Sequence, residues 1–208
     1  MNLKETYNKI AADWYKDHKS DDWWVEGTEA FSRLLPPGGD VLDVGCGAGV
    51  KSKYLTAKGF KVVGLDFSEK LIEIAKKTVP GANFTVMDLN NVDDLGKKFD
   101  AVFAQAVLLH FKKTEVTSTL DKIVSILKGG GYLYIAVKSK VPGMEDESVL
   151  KENDYGYEYE RFFSYYSMDE LKGYIRNMDM EVVYENSKLF GKTTWLQIIG
   201  KKEVNLLS

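Results

Sequence analysis

The chain predicts a doubly wound α/β fold: a mostly parallel seven-stranded sheet that ends in an antiparallel C-terminal hairpin, with helices on both faces. Three observations predict it. From residue 40 onward, short apolar runs alternate with helical periods, the pattern of βαβ units. The helical stretches between the runs supply the crossovers that parallel strands require. The last two apolar runs lie about one short loop apart, which suits an antiparallel pair.

Residues 1–37 read as an N-terminal helical cover. MNLKETYNKIAADWYKDHK alternates charges with aromatics, and a helix near Thr28 to Leu35 is stopped by Pro36, Pro37, Gly38 and Gly39. The repeating core occupies residues 38–138. Its first strand is DVLDVG (40–45), followed past glycines by a helix through Tyr54 and Leu55 that stops at Gly59. KVVGLD (61–66) is the second strand, and Ser68 is placed to cap the next helix, EKLIEIAKKTV, which ends at Pro80 and Gly81. The third strand is NFTVMD (83–88) and the fourth FDAVFAQ (99–105). Val116, Leu120, Ile123 and Leu127 then advance along one helical face, and Gly129, Gly130 and Gly131 turn the chain into a fifth strand, YLYIAVK (132–138). Residues 139–166 are too long for an ordinary connection and read as a lid over the sheet edge. The segment Ser167-Met168-Asp169-Glu170 is a capping box opening a helix with Leu171, Ile175 and Met178 on one side. MEVVYE (180–185) and TWLQIIGKK (194–202) complete residues 167–208 as the hairpin, so that the whole chain reads as a single domain.

Composition narrows the partners. The 208 residues carry 28 Lys plus Arg against 31 Asp plus Glu, a net charge of −3, which argues against a surface that coats nucleic acid. With 44% hydrophobic and 28% charged residues and only 4 Pro, the chain is an ordinary globular one. The N-terminal segment lacks the apolar stretch of a signal peptide, and no run approaches a membrane span; a cytoplasmic protein with no membrane partner is expected. One cysteine, Cys46, excludes an intrachain disulfide, and with two histidines, His18 and His110, no Cys/His zinc cage can be assembled; no metal is expected. Nothing in the pattern demands an obligate assembly, and a monomer or weak homodimer is the expectation.

The chemistry should lie at the carboxyl ends of the parallel strands, where open α/β sheets bind ligands. After strand one comes Asp43-Val44-Gly45-Cys46-Gly47-Ala48-Gly49, a loop whose missing side chains let a ligand press against backbone. Strand two ends in Asp66, near the spacing at which a carboxylate accepts both ribose hydroxyls of a nucleoside. Loop and acid together indicate an adenosine-type cofactor. Asp43 would repel a pyrophosphate, whereas S-adenosylmethionine brings an ammonium and a sulfonium and no phosphate, so the placement favours the sulfonium cofactor over a dinucleotide. Asp88 could accept the adenine amino group, and Phe67, Met87 and Leu89 could sandwich the base.

VLDVGCGAG, VVGLDFS, FTVMDLNN, FDAVFAQAVLLHF and LKGGGYLYIAVK, in this order and spacing, resemble the class I S-adenosylmethionine-dependent methyltransferases, whose fold is Rossmann-like. The opening YNKIAADWY and the segment RFFSYYSMDEL resemble that family's small-molecule branch. The resemblance implies that Gly45, Gly47 and Gly49 line the methionine part of the cofactor, with Asp43 helping to hold its ammonium. It implies a ribose contact for Asp66, an adenine contact for Asp88 with a backbone contact from Leu89, and a methionine contact for Gln105. Tyr7 and Trp14 would close over the cofactor. The strand-four end, Ala104-Gln105-Ala106-Val107, departs from the Asn/Asp-Pro-Pro-Tyr/Phe signature of amino-methylating nucleic-acid enzymes.

Several residues keep two readings. Cys46 is a small residue suited to a tight loop, or a nucleophile. His110, just past strand four, could take a proton from the methyl acceptor or simply bond a backbone carbonyl. Arg161 could grip an acceptor carboxylate or serve the surface. One of Trp23 and Trp24 is expected to wall the acceptor pocket, and Tyr165, from an aromatic run, Tyr155 to Tyr166, read as part core and part lid, is a candidate substrate-binding residue. The expected activity is methyl transfer to an oxygen, nitrogen or sulfur of a small molecule, releasing S-adenosylhomocysteine. The alternatives are a protein or RNA methyltransferase, a cofactor-binding protein without catalysis and, more distantly, a nicotinamide oxidoreductase.

Overall fold

A computed structural model of the chain describes residues 2–204. Nine strands and six α-helices occur in the order α1 (Leu3–His18), α2 (Val25–Leu34), β1 (Asp40–Val44), α3 (Val50–Ala57), β2 (Lys61–Asp66), α4 (Glu69–Thr78), β3 (Asn83–Val86), β4 (Phe99–Gln105), α5 (Lys113–Ser125), β5 (Leu127–Lys138), β6 (Glu147–Glu152), β7 (Tyr159–Ser164), α6 (Met168–Asn177), β8 (Met180–Phe190) and β9 (Thr193–Lys202). A kinked 3-10 segment follows β3 (Leu89–Leu95) and a single 3-10 turn follows β4 (Leu108–His110).

Seven strands form one sheet in the order β3-β2-β1-β4-β5-β9-β8, parallel from β3 to β5 and antiparallel from β5 to β8. This is the predicted doubly wound, Rossmann-like architecture with its terminal hairpin. Strand alternation sorts the core into two layers. Val41, Ala101, Phe103, Tyr134 and Ile199 face α2 and α3 through Phe31 and Leu55. Leu42, Val102, Leu133, Ile135 and Ile198 face α5 and α6 through Val116, Leu120, Ile123, Leu171 and Ile175.

The caps behave as their sequences predict. The Ser68 hydroxyl accepts from the Leu71 N–H and donates to Asn8 Oδ1 at 2.7 Å, so the start of α4 is also tied to α1. Ser167 and Glu170 form the capping box of α6. Asn2 caps α1, whose buried Tyr7, Ile10 and Ala11 pack on Leu71 of α4 and Tyr159 of β7.

Several boundaries differ from the sequence reading. The second helix begins at Val25, three residues before Thr28. β1 stops at Val44 and β3 at Val86; Asp88 caps the turn beyond, accepting from the Asn90 N–H at 2.8 Å. The glycines 129–131 lie inside β5, which begins at Leu127 opposite Phe99, with a register irregularity between Phe99 and Ala101 absorbing them. Leu127 is therefore a strand residue, not the last turn of α5. β8 runs on to Phe190, because main-chain pairing with β9 carries it past its apolar segment to a two-residue turn at Gly191, where φ is +58°.

The predicted lid is a two-stranded antiparallel sheet, β6 against β7, apart from the main sheet. Its two ends meet: Ser139 and Tyr166 form a parallel bridge, with the Lys140 N–H donating to Tyr166 O at 2.8 Å and the Tyr166 N–H to Lys138 O at 3.1 Å. β7 turns Tyr159 and Phe163 inward, while Val149 and Leu150 of β6 stay exposed.

Phe103 stacks on Tyr134 at 4.4 Å and 5° and tilts against Phe31, on the face of the sheet away from the lid. Phe103→Ala should therefore lower the unfolding free energy by about 3–5 kcal/mol, read as a reduced urea midpoint with unchanged slope. A shift below about 1 kcal/mol would show that this layer repacks freely.

Candidate functional site

The carboxyl ends of β1, β2, β4 and β5 open into a cavity of about 690 Å³, walled by α1, the 3-10 turn after β4, β7 and the tip of the β8–β9 hairpin. That volume lies within the usual range for small-ligand sites.

Its floor is the loop after β1. Gly45 and Gly47 have φ of +63° and +53°, a region that side chains with a Cβ rarely enter. A Cβ on Gly45 would run into Val107, whereas one on Gly47 would only touch Trp14, so Gly45 is required by space as well as by φ and Gly47 by φ alone. Gly49, predicted beside them, does not line it: with φ +80° it caps α3 and packs against Ala75 and Phe84, a close approach between helices and sheet. Cys46 lines the floor with its thiol near Gly47 O, and burial raises its pKa well above the ordinary value, the state of a small packing residue rather than a nucleophile.

Three carboxylates ring this floor. Asp43, buried in the middle of the sheet, accepts from the Ser52 hydroxyl at 2.6 Å, and burial lifts its pKa to about 7. Asp66 accepts from the Gly47 N–H at 2.9 Å and the Ser68 N–H at 2.8 Å, with burial lifting it to about 6. Each of its oxygens keeps a lone pair for a further donor. Asp88, more exposed, also lines the cavity, flanked by Met87 and Leu89, and Phe67 stands behind Tyr7 at 5.9 Å.

At the end of β4, Gln105 is 7% exposed and neither its Oε1 nor its Nε2 has a partner among the described residues. A buried amide left so is costly unless a ligand supplies both a donor and an acceptor. The next residue, Ala106, is held at φ +56°, an unfavourable value for a residue with a Cβ, and its N–H donates to Ala136 O at 2.8 Å. The strain sits where β4 leaves the sheet. The glycine loop, the buried acids and the unpaired Gln105 amide fit a ligand with ammonium, carboxyl and hydroxyl groups.

Tyr7 and His110 link the cover to the lid. The His110 Nδ1–H donates to the Phe162 carbonyl at 2.8 Å, because a carbonyl can only accept. Burial lowers the His110 pKa to about 3, so the ring is neutral and its Nε2 accepts from the Tyr7 hydroxyl, also at 2.8 Å. Burial raises the Tyr7 pKa, opposed by the nearby Arg161 guanidinium. Trp14, edge-on to Tyr7, stacks on His18 at 4.8 Å and completes this wall.

The far end is aromatic and basic. Trp23 stacks on Trp195 at 3.9 Å and 12°, and both line the cavity. Trp24 instead packs edge-on to Tyr54 and donates to Asp21 O, so Trp23 is the cavity wall of the two. Arg161 reaches the cavity with its Nε and Nη2 bound by Glu152 at 2.7 and 2.6 Å, so that one of its two carboxylate-binding edges is already filled. Tyr165, a substrate-binding candidate from sequence, is off the cavity: its hydroxyl pairs with Ser148 at 3.0 Å and its ring stacks on Phe163. Lys51, Lys138, Phe190 and Trp195 line the cavity without having been singled out from sequence. Lys138 ends the fifth parallel strand, and reading that strand end like the other four would have found it. Phe190 and Trp195 depend on the register of the hairpin.

Comparison with known proteins identifies the family. A family model described as "Methyltransferase domain" matches residues 17–185. The Bacillus subtilis protein YqeM, whose name goes no further than methyltransferase, is 31% identical over 144 residues, 66% of this chain and 57% of its own length. A ubiquinone biosynthesis O-methyltransferase of Xanthomonas axonopodis is 31% identical over 116 residues, 53% of this chain and 48% of its own. The chain thus spans about half the length of the curated relatives it matches. In fold, the chain is similar to the Burkholderia thailandensis 1,6-didemethyltoxoflavin-N1-methyltransferase, with a TM-score of 0.77 at 17% identity over 97% of this chain and 87% of that one.

A depressed native pKa for His110 makes a signed prediction. Between about pH 6.5 and 3 the unfolded chain takes up a proton that the native imidazole refuses, so this contribution to stability is full above pH 6.5 and is lost as the pH falls. The stability of the wild type relative to His110→Gln should decline by up to about 1.4 kcal/mol per pH unit in that window. Urea titrations at pH 7, 6 and 5 read it, and a pH-independent difference would remove the neutral, buried assignment.

Proposed function

The chain belongs to the methyltransferase-domain family, and from that premise we propose that it moves a methyl group from S-adenosylmethionine to an oxygen, nitrogen or sulfur of a small organic molecule, releasing S-adenosylhomocysteine. One observation carries the reading: the positive-φ glycine loop, the buried Asp43 and Asp66 and the unpaired Gln105 amide converge on one cavity floor.

Asp66 holds the ribose hydroxyls with the lone pairs left by Gly47 and Ser68, and Asp88 takes the adenine amino group between Phe67, Met87 and the Leu89 backbone. The Gly45–Gly47 backbone, Gln105 and Asp43 receive the methionine end, where an ammonium beside Asp43 favours the ionised carboxylate. Bound there, S-adenosylmethionine would supply a methyl already activated by its sulfonium. The protein's own task is then mainly to align the two reactants and exclude water, through Tyr7 and Trp14 of the cover and the β6–β7 lid. The neutral His110 fixes the Tyr7 hydroxyl over the cavity. Because burial disfavours the imidazolium, His110 positions the Tyr7 hydroxyl and is not the base, and the acceptor is one that loses its proton to solvent or after methyl transfer.

A small acceptor is supported by the size of the cavity and by the relatives. One is named for ubiquinone biosynthesis, and the Burkholderia structure holds 1,6-didemethyltoxoflavin together with S-adenosylhomocysteine.

Calorimetry with S-adenosylhomocysteine tests the reading. Asp66→Ala should weaken binding at least about a hundredfold, the loss of two hydrogen bonds to a charged group. Binding equal to wild type would remove the ribose assignment, and tighter binding of NAD would replace the reaction class. Near pH 7 Asp43 is about half protonated, so the arriving ammonium should expel a fraction of a proton. Heats measured in buffers of different ionisation enthalpy should show that release for S-adenosylhomocysteine. It should be missing for methylthioadenosine, which has no ammonium, and for Asp43→Asn.

A further inference from the structure

Lys138 stands at the carboxyl end of β5, and its side chain lines the cavity at the end remote from Asp66 and Asp88. Its ammonium lies 3.8 Å from the ring centroid of Phe163, and Trp195 is its register partner on β9. Among the described residues no carboxylate forms an ion pair with it. Two charged groups act on it: Arg161, which disfavours the ammonium, and Glu152, which favours it. Both Glu152 oxygens, however, are already bound to Arg161.

The charged groups that act on Lys138 thus amount to one ion pair, Arg161 with Glu152, and leave the Lys138 ammonium itself uncompensated in an aromatic surround. A largely buried ammonium with no counter-ion is costly, and a ligand that brings a negative charge removes the cost. A single surplus charge suits a monoanion. The neighbouring surfaces are flat, with the Phe163 ring against the ammonium and the Trp23–Trp195 stack beside it. The cofactor-side acids lie at the ends of β1 and β2 and just beyond β3, across β4 from Lys138.

We propose that Lys138 is the counter-ion for a carboxylate of the methyl acceptor, and that the acceptor is a planar aromatic or conjugated carboxylic acid. The word acceptor rests on the methyltransferase reading above; the anion site itself rests on the charge and geometry around Lys138. Arg161 is then a positioning residue, held by Glu152 and shaping the wall rather than binding the acid.

The test uses matched probes that differ only in charge: benzoate with benzamide, trans-cinnamate with cinnamamide, and 2-naphthoate with 2-naphthamide. Their affinities for the full chain are measured by calorimetry beside that of S-adenosylhomocysteine. In at least one pair the wild type should bind the acid about tenfold or more tightly than the amide, as expected of a charge-assisted contact. K138M should bind both members alike and K138R should keep the preference, with S-adenosylhomocysteine bound equally by all three. K138Q replaces K138M if the latter does not fold. The proposal is overturned if no acid outcompetes its amide, whether through equal binding or none, or if the preference survives loss of the ammonium. It is also overturned if K138M weakens S-adenosylhomocysteine, which would assign Lys138 to the cofactor. An acid preference in a protein that fails to bind S-adenosylhomocysteine would instead reject the methyltransferase reading and leave the anion site standing.

Discussion

The direction in which the chain leaves β1 and β4 governs the rest of the molecule. From β1 it departs through α3 toward β2, on the sheet face shared with α2; from β4 it departs through α5 toward β5, on the opposite face. The carboxyl ends of these neighbouring strands are left uncovered by either helix, a crevice set by topology rather than by any side chain. The glycine loop, Gln105 and His110 all arise within a few residues of that divergence. The left-handed Ala106 is part of its cost, of the order of 1–2 kcal/mol, offset by the dense packing on both faces of the sheet.

The crevice has an electrostatic direction. At one end burial pushes Asp43 and Asp66 toward neutrality, so each gains from a nearby cation or hydrogen-bond donor. At the other end burial likewise pushes Lys138 toward neutrality, by lowering its pKa instead of raising it, and the nearby Arg161 adds to this. Neither set relieves the other, because β4 lies between them. The His110–Tyr7 pair sits at the middle, neutral in both partners. It couples three segments far apart in sequence, α1, the turn after β4 and β7, through two hydrogen bonds.

Much of this was legible because it is local. A strand's period, a glycine loop and an acid at a strand end depend on residues near in sequence, and Asp43, Gly45, Gly47, Asp66 and Gln105 fell where the pattern put them. The capping signals of Ser68 and Ser167 held for the same reason. What escaped depends on distant partners. Arg161 looked free until Glu152 was brought opposite it by the β6–β7 turn. Tyr165 follows Phe163 by two residues and would share its face, but β7 stops at Ser164 and the chain bends toward the bridge at Tyr166. Gly49 shares a motif with its neighbours yet serves the helix start, a distinction visible only once Ala75 and Phe84 pack against it.

The bridge between Ser139 and Tyr166 gives the lid a particular standing in the fold. The polypeptide leaves the main sheet and returns to it at one place, pinned there by main-chain hydrogen bonds that depend on no side chain of the excursion. The 26 or so residues between are thus a cassette on a fixed clasp, and loop length adds little to the entropy of closing it. Exchange, shortening or elaboration of that cassette would change which compounds are admitted while the sheet and its glycine floor stay as they are. A scaffold of this kind can diversify its chemistry by insertion alone, and directed evolution of the chain has its natural target between residues 140 and 165.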